Sequence, residues 1–168
     1  RAGDRVGLLV FDDVVRAWVP PGAGAGAVGR IRDALVPVQP VLREPDYAGA
    51  FRTLAERHRR RSLVVLFTDV IDVRASRALV AHVVRGAARH LPLVVALRDE
   101  ALDAAARPRD AAGLAPYESA AAEELLTARE EALARMRQAG VSVVDVSVDA
   151  MTAAVVNRYL ELKARAAV

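Results

Sequence analysis

Ser62-Leu63-Val64-Val65-Leu66-Phe67-Thr68-Asp69 is the stretch that decides the fold class. Its apolar run has no helical period, contains β-branched valine, and stops at a polar pair. A run so short and so apolar is the pattern of a strand covered on both faces of a parallel sheet. We therefore expect a fully buried central strand over residues 62–67. The sequence on its C-terminal side repeats the signal. Leu93-Val94-Val95-Ala96-Leu97, closed by Arg98-Asp99-Glu100, and residues 141–146 read as two more buried strands.

Helical patterns separate these strands. Residues 74–90 place Leu79, Val80, Val83 and Ala87 on one face, and residues 119–139 set Glu131 one turn before Arg135, with Gly140 as a C-terminal stop. A last helix over residues 149–165 aligns Met151, Val155, Tyr159 and Leu162. Strands alternating with helices predict right-handed crossovers and an α/β three-layer sandwich around a mostly parallel sheet. The tract 103–116, with Pro108, Gly113 and Pro116, reads as a loop.

The sequence before residue 60 is organised differently. Val6 to Phe11 is a short apolar run, Asp12-Asp13 a tight turn, and residues 14–19 a return strand ending at Pro20-Pro21. That spacing predicts an antiparallel hairpin strand at a sheet edge. A short helix over 27–36 is stopped by Pro37 and Pro40, and a second over 46–60 has Asp46 as its N-cap and Tyr47, Ala50, Phe51 and Leu54 on its buried face.

Composition narrows the chemistry. At 168 residues and 54% hydrophobic, the chain is read as a single domain, since domains run to about 100–200 residues. The 4% aromatic content leaves few platforms for stacking bases or sugars, and the absence of cysteine excludes disulfides, zinc ribbons and thiol nucleophiles. No apolar stretch reaches the roughly 18 residues of a membrane span, so this piece is read as soluble; a cytoplasmic place for the domain is a separate expectation. The 24 basic residues nearly balance the 21 acidic ones, and no nucleic-acid partner is expected.

Ligands of open α/β sheets bind beyond the carboxyl ends of the strands. That rule singles out Asp12 and Asp13, then Thr68, Asp69 and Asp72, then Arg98 and Asp99, and finally Asp145 and Ser147. Clustered carboxylates can hold Mg²⁺; Asp69, Asp72, Ser147 and Asp149 can equally cap helices. Gly24-Ala25-Gly26-Ala27-Val28-Gly29 satisfies G-x-G-x-x-G, but it follows a hairpin arm with no second parallel strand within about 30 residues, so it is read as a flexible turn. The basic run Arg57 to Arg61 falls at a helix C-terminus, where cations oppose the dipole. His58, His82 and His90 lack a second ligand at metal spacing and are read as surface residues. No G-x-S-x-G elbow is present.

The segments from Gly3 to Asp12, Asp46 to Phe51, Ser62 to Asp69 and Asn157 to Lys163 together resemble the bacterial domain of unknown function 58 family. That resemblance implies a von Willebrand factor A-like fold, an N-terminal membrane anchor in many intact members, and work beside MoxR-type AAA+ ATPases. In A-type domains a divalent ion is held by Asp-x-Ser-x-Ser after the first strand, a loop Thr, and an Asp after the fourth strand. Asp69 matches the last position, and Pro45-Asp46 stands where the Thr belongs. The first motif has no counterpart, so the resemblance implies a truncated domain with an incomplete metal site at Asp69 and Asp46. It also implies that the strand between residues 6–11 and 63–67 is missing. Those strands are then expected to pair directly, to shift, or to recruit another chain, which makes a homodimer through unpaired strands one expectation.

The function expected from this reading is a protein-protein interaction module, not an enzyme, partnered by a MoxR-type AAA+ ATPase. It carries no cofactor in this chain, with Mg²⁺ reserved for the intact protein. The alternative is a metal-dependent phosphoryl or nucleotide enzyme using Asp12, Asp69 and Asp99.

Overall fold

The computed structural model describes residues 3–69, 73–107 and 115–166. The chain divides into two compact units, residues 1–60 and 61–168.

The first unit holds the hairpin of β1 (Val6–Phe11) and β2 (Val15–Gly22), followed by α1 (Gly24–Leu35) and α2 (Tyr47–Arg57). The two strands pair antiparallel as a sheet of their own, with Leu9 opposite Trp18 and Val10 opposite Ala17. β2 runs three residues beyond its expected end and includes both prolines. The pairing moves from Leu8 opposite Val19 to Val6 opposite Gly22, so β2 carries one extra residue at Pro20-Pro21. A bulge is where a strand tolerates residues that cannot donate to the ladder.

The six residues from Gly24 to Gly29 are the first half of α1, which corrects the flexible-turn reading. Interspersed alanines favour the helix, and Ala27 is fully buried. In α2, Asp46 is the N-cap expected from the sequence, accepting from the Gly49 amide at 2.8 Å. Tyr47 and Ala50 are buried, and the Tyr47 ring meets Phe11 edge-on with centroids 5.6 Å apart.

The second unit is built on three parallel strands, β3 (Leu63–Thr68), β4 (Leu91–Leu97) and β5 (Ser142–Val146), in that spatial order. The central, fully buried strand is therefore β4, whose Leu93, Val94, Val95 and Ala96 are each 0% exposed. β3 is an edge strand with half-buried residues, a correction to its expected central place. The sequence pattern of the two strands is the same, and strand order is not written in it.

Helices α3 (Val73–Gly86), α4 (Glu100–Ala105), α5 (Ala115–Gln138) and α6 (Val148–Ala166) complete this unit. Leu93, Val95 and Leu162 form a core cluster with Leu63, Val65, Val144, Met151 and Val155, so alternate strand residues face α6. Val94 and Ala96 point to the opposite face. There α3 packs on α5, and Leu79, Val83, Leu133 and Met136 are buried. Both crossovers step the same way across the sheet and share that face, as right-handed connections require. An α/β sandwich with a parallel sheet and an antiparallel hairpin is thus the fold that the sequence predicts.

α4 falls partly in the tract read as a loop; residues 108–114 of that tract lie outside the described residues. His90 is buried, its amide bonded to the Gly86 carbonyl at 2.9 Å, which corrects its reading as a surface residue. No described helix is long and apolar enough to cross a membrane.

Candidate binding site at the carboxyl edge of the parallel sheet

The parallel register sets Thr68 beside Ala96, Ala96 beside Asp145, and Leu97 beside Val146. Residues just past the three strands therefore share one edge. A cleft of about 400 Å³ opens there, lined by Leu97 and exposed Val148 together with Asp69, Arg98, Asp99, Glu100 and Asp149.

One side chain ties this edge together. Arg129, on α5, is 7% exposed and donates to all three strand ends. Its Nε reaches the Asp69 carbonyl at 3.3 Å and its Nη2 the Leu97 carbonyl at 3.3 Å. Nη1 and Nη2 meet the two Asp145 carboxylate oxygens at 3.2 and 3.0 Å. This planar fork suits a bidentate carboxylate and satisfies buried carbonyls at the same time.

Arg98 approaches Asp145 from the solvent side, with Nε at 3.0 Å from Oδ1 and Nη2 at 3.3 Å from the Asp145 carbonyl. Burial would raise the Asp145 pKa, but hydrogen bonds and positive charge from Arg129 and Arg98 outweigh it and hold the carboxyl below its ordinary value. Asp145 is thus a structural acceptor, and it leaves Arg98 engaged. The carboxylates around the cleft outnumber its single arginine.

The strand-end residues singled out from the sequence divide between the units. Asp12 and Asp13 belong to the first. Asp12 accepts from Arg16 Nε at 2.7 Å and from the Val14 amide at 3.0 Å, and Asp13 pairs with Arg16 and Arg43. The Arg16 hydrogen bond pulls the Asp12 pKa down to about 2, against a smaller opposing effect of burial. Asp69, Arg98, Asp99 and Asp145 belong to the second unit and do come together at one edge. Asp99 caps α4 through the Ala101 and Leu102 amides at 2.9 and 3.4 Å. Asp72 lies outside the described residues.

The two expected metal ligands are not neighbours in one unit. Asp46 is engaged as the cap of α2 in the first, and Asp69 stands exposed after β3 in the second. Among the described residues, no group of three or more His, Cys, Asp or Glu is placed to hold a metal ion.

The family model for proteins of unknown function, DUF58, matches residues 1–139. The chain belongs to the DUF58 family. It matches no curated protein and no solved structure. The DUF58 match ends one residue short of Gly140, so it includes Arg129 and the Asp69 and Arg98–Glu100 rims of the cleft and leaves Asp145 and Asp149 outside.

Arg129 escaped the sequence reading, although a signal for it exists. Ala122, Leu126, Arg129, Leu133 and Met136 recur at spacings of four and three along α5, and all are buried or half-buried. An arginine on the apolar stripe of a helix is a buried cation in search of acceptors.

Proposed function

We propose that this DUF58 chain is a protein-interaction module with a von Willebrand factor A-like arrangement that engages its partner at the carboxyl edge of the parallel sheet. The observation that carries the reading is the acid-rimmed cleft braced by Arg129. Its charged lining is exposed and mostly negative, Leu97 and Val148 add apolar surface, and its backbone is braced by a buried guanidinium. Such a surface suits an arginine or lysine side chain presented by a protein partner, steered by opposite charge. A MoxR-type AAA+ ATPase is the partner proposed, acting with the domain on the cytoplasmic side whether or not the intact protein is anchored to a membrane. Catalysis is not proposed. Of the three aspartates of the nucleotide-enzyme alternative, Asp12 pairs with Arg16 and Asp99 caps α4 through Oδ1.

The test is co-purification of the full-length protein with the ATPase, with and without Mg²⁺, comparing wild type with Asp69→Ala and with Glu100→Arg/Asp149→Arg. Retention by wild type and at least a tenfold loss in the charge-reversed variant is the expected result. Equal retention by all variants overturns the cleft as the binding surface, and loss confined to Asp69→Ala with Mg²⁺ present points to metal-dependent binding.

A further inference from the structure

Asp145 accepts from two guanidinium groups that differ in burial. Arg129 is 7% exposed and holds both carboxylate oxygens, at 3.2 and 3.0 Å. Arg98 is 53% exposed and adds Nε to Oδ1 at 3.0 Å and Nη2 to the Asp145 carbonyl at 3.3 Å. With Arg129 in place, each carboxylate oxygen keeps a donor when the Arg98 side chain leaves. The Arg98 backbone does not follow, because its amide is bonded to the Val146 carbonyl at 2.9 Å. The outer guanidinium is therefore the replaceable one. Exposed ion pairs contribute little to stability, and a long side chain regains rotamer freedom when released.

We propose that Arg98 is a self-ligand: it fills the seat that an arginine of the partner takes, and the partner docks by displacing it. This rests on the cleft as the docking surface and names the chemistry recognised there. The Asp145 Oδ1 and carbonyl oxygen are taken together by two N–H groups of one guanidinium, a forked match that the point charge of a lysine ammonium does not reproduce. Once Arg98 swings out, the charged lining that remains, Asp69, Asp99, Glu100 and Asp149, is wholly acidic, and all four residues are exposed. Opposite charge then favours an incoming cation. Because the seat is open only while Arg98 is away, the self-contact lowers the apparent affinity by the open fraction. A lone arginine gains little against that competitor, whereas a protein partner adds further contacts.

The test is an NMR titration of the 168-residue chain with N-acetyl-arginine amide, read at the amides of residues 97–101 and 146–149, with N-acetyl-lysine amide as the comparison. Arg98→Ala is expected to bind the arginine probe roughly fivefold more tightly than wild type does, with a smaller gain for the lysine probe. Arg98→Met, which keeps most of the apolar stem, takes its place if Arg98→Ala fails to fold. Equal affinity in wild type and variant, an equal gain for both probes, or shifts in neither protein overturns the proposal. Such a failure leaves the co-purification test standing, because that test reads Glu100 and Asp149. Conversely, a gain for the arginine probe beside an ATPase retained by every cleft variant keeps the arginine seat and removes the ATPase from it.

Discussion

Arg129 holds both carboxylate oxygens of Asp145, at 3.0 and 3.2 Å, from a side chain that is 7% exposed. The same guanidinium also satisfies the carbonyls of Asp69 and Leu97. Removing it leaves a partly buried carboxylate and two carbonyls without that donor. Breaking one side of a buried pair costs about 3 kcal/mol, so Arg129→Ala is expected to lower the unfolding free energy by that order in urea titration. Asp145→Ala strands the arginine instead. Because both changes remove one shared interaction, the double variant is expected to be less destabilised than the sum of the singles; strict additivity would refute the pairing.

The two lowered carboxyl groups make a pH prediction. Asp12 falls from 3.8 to about 2, and Asp145 is also held below 3.8. A depressed folded-state pKa contributes stability that is fully present above the unfolded value and is lost as pH falls through the folded one. Stability is therefore expected to be flat from these groups at neutral pH and to decline below 3.8. Asp12→Asn and Asp145→Asn should each flatten part of that decline, measured by urea midpoints at successive pH values. An unchanged acid limb in both variants would show that neither carboxylate is linked to folding.

The sequence predicted these elements better than their neighbours. Apolar runs and helical spacing located the five strands of the described residues and the long helices, because burial imposes periods that survive in a single chain. Strand order carries no such imprint, and Ser62 to Phe67 has the pattern of a central strand while lying at the edge. Pairing across sequence distance also escapes local patterns, so the link from Arg129 to Asp145 was invisible, although the buried stripe of α5 passes through Arg129. Asp46 was legible as a cap because capping is local. Its place at the family's metal-binding Thr position came from family resemblance alone.

That local role can be tested at Asp46. Its Oδ1 accepts from the Gly49 amide at 2.8 Å, and an alanine at an N-cap costs about 1 kcal/mol while asparagine caps nearly as well as aspartate. Asp46→Ala is expected to destabilise the chain by that amount and Asp46→Asn to change it by a few tenths, read from chemical unfolding. An equal loss in both would mean that the charge, not the cap, matters there.

Gly7 and Gly29 give a pair of opposite expectations. A Cβ at Gly7 would stand 2.7 Å from the Val19 carbonyl oxygen and 3.0 Å from the Pro21 nitrogen, both backbone atoms of the bulged β2. Neither can move without opening the hairpin, and overpacking of this kind costs about 1–3 kcal/mol. A Cβ at Gly29 meets nothing within 4 Å, and the residue lies inside α1, where alanine is favoured over glycine by about 0.5–1 kcal/mol. Trp18, the single tryptophan, lies in β2 and so reports on this unit. Its fluorescence transition in urea is expected to move to lower denaturant in Gly7→Ala and to higher denaturant in Gly29→Ala. Movement of both in the same direction would contradict the bulge geometry at Pro20-Pro21 or the helical state of Gly29.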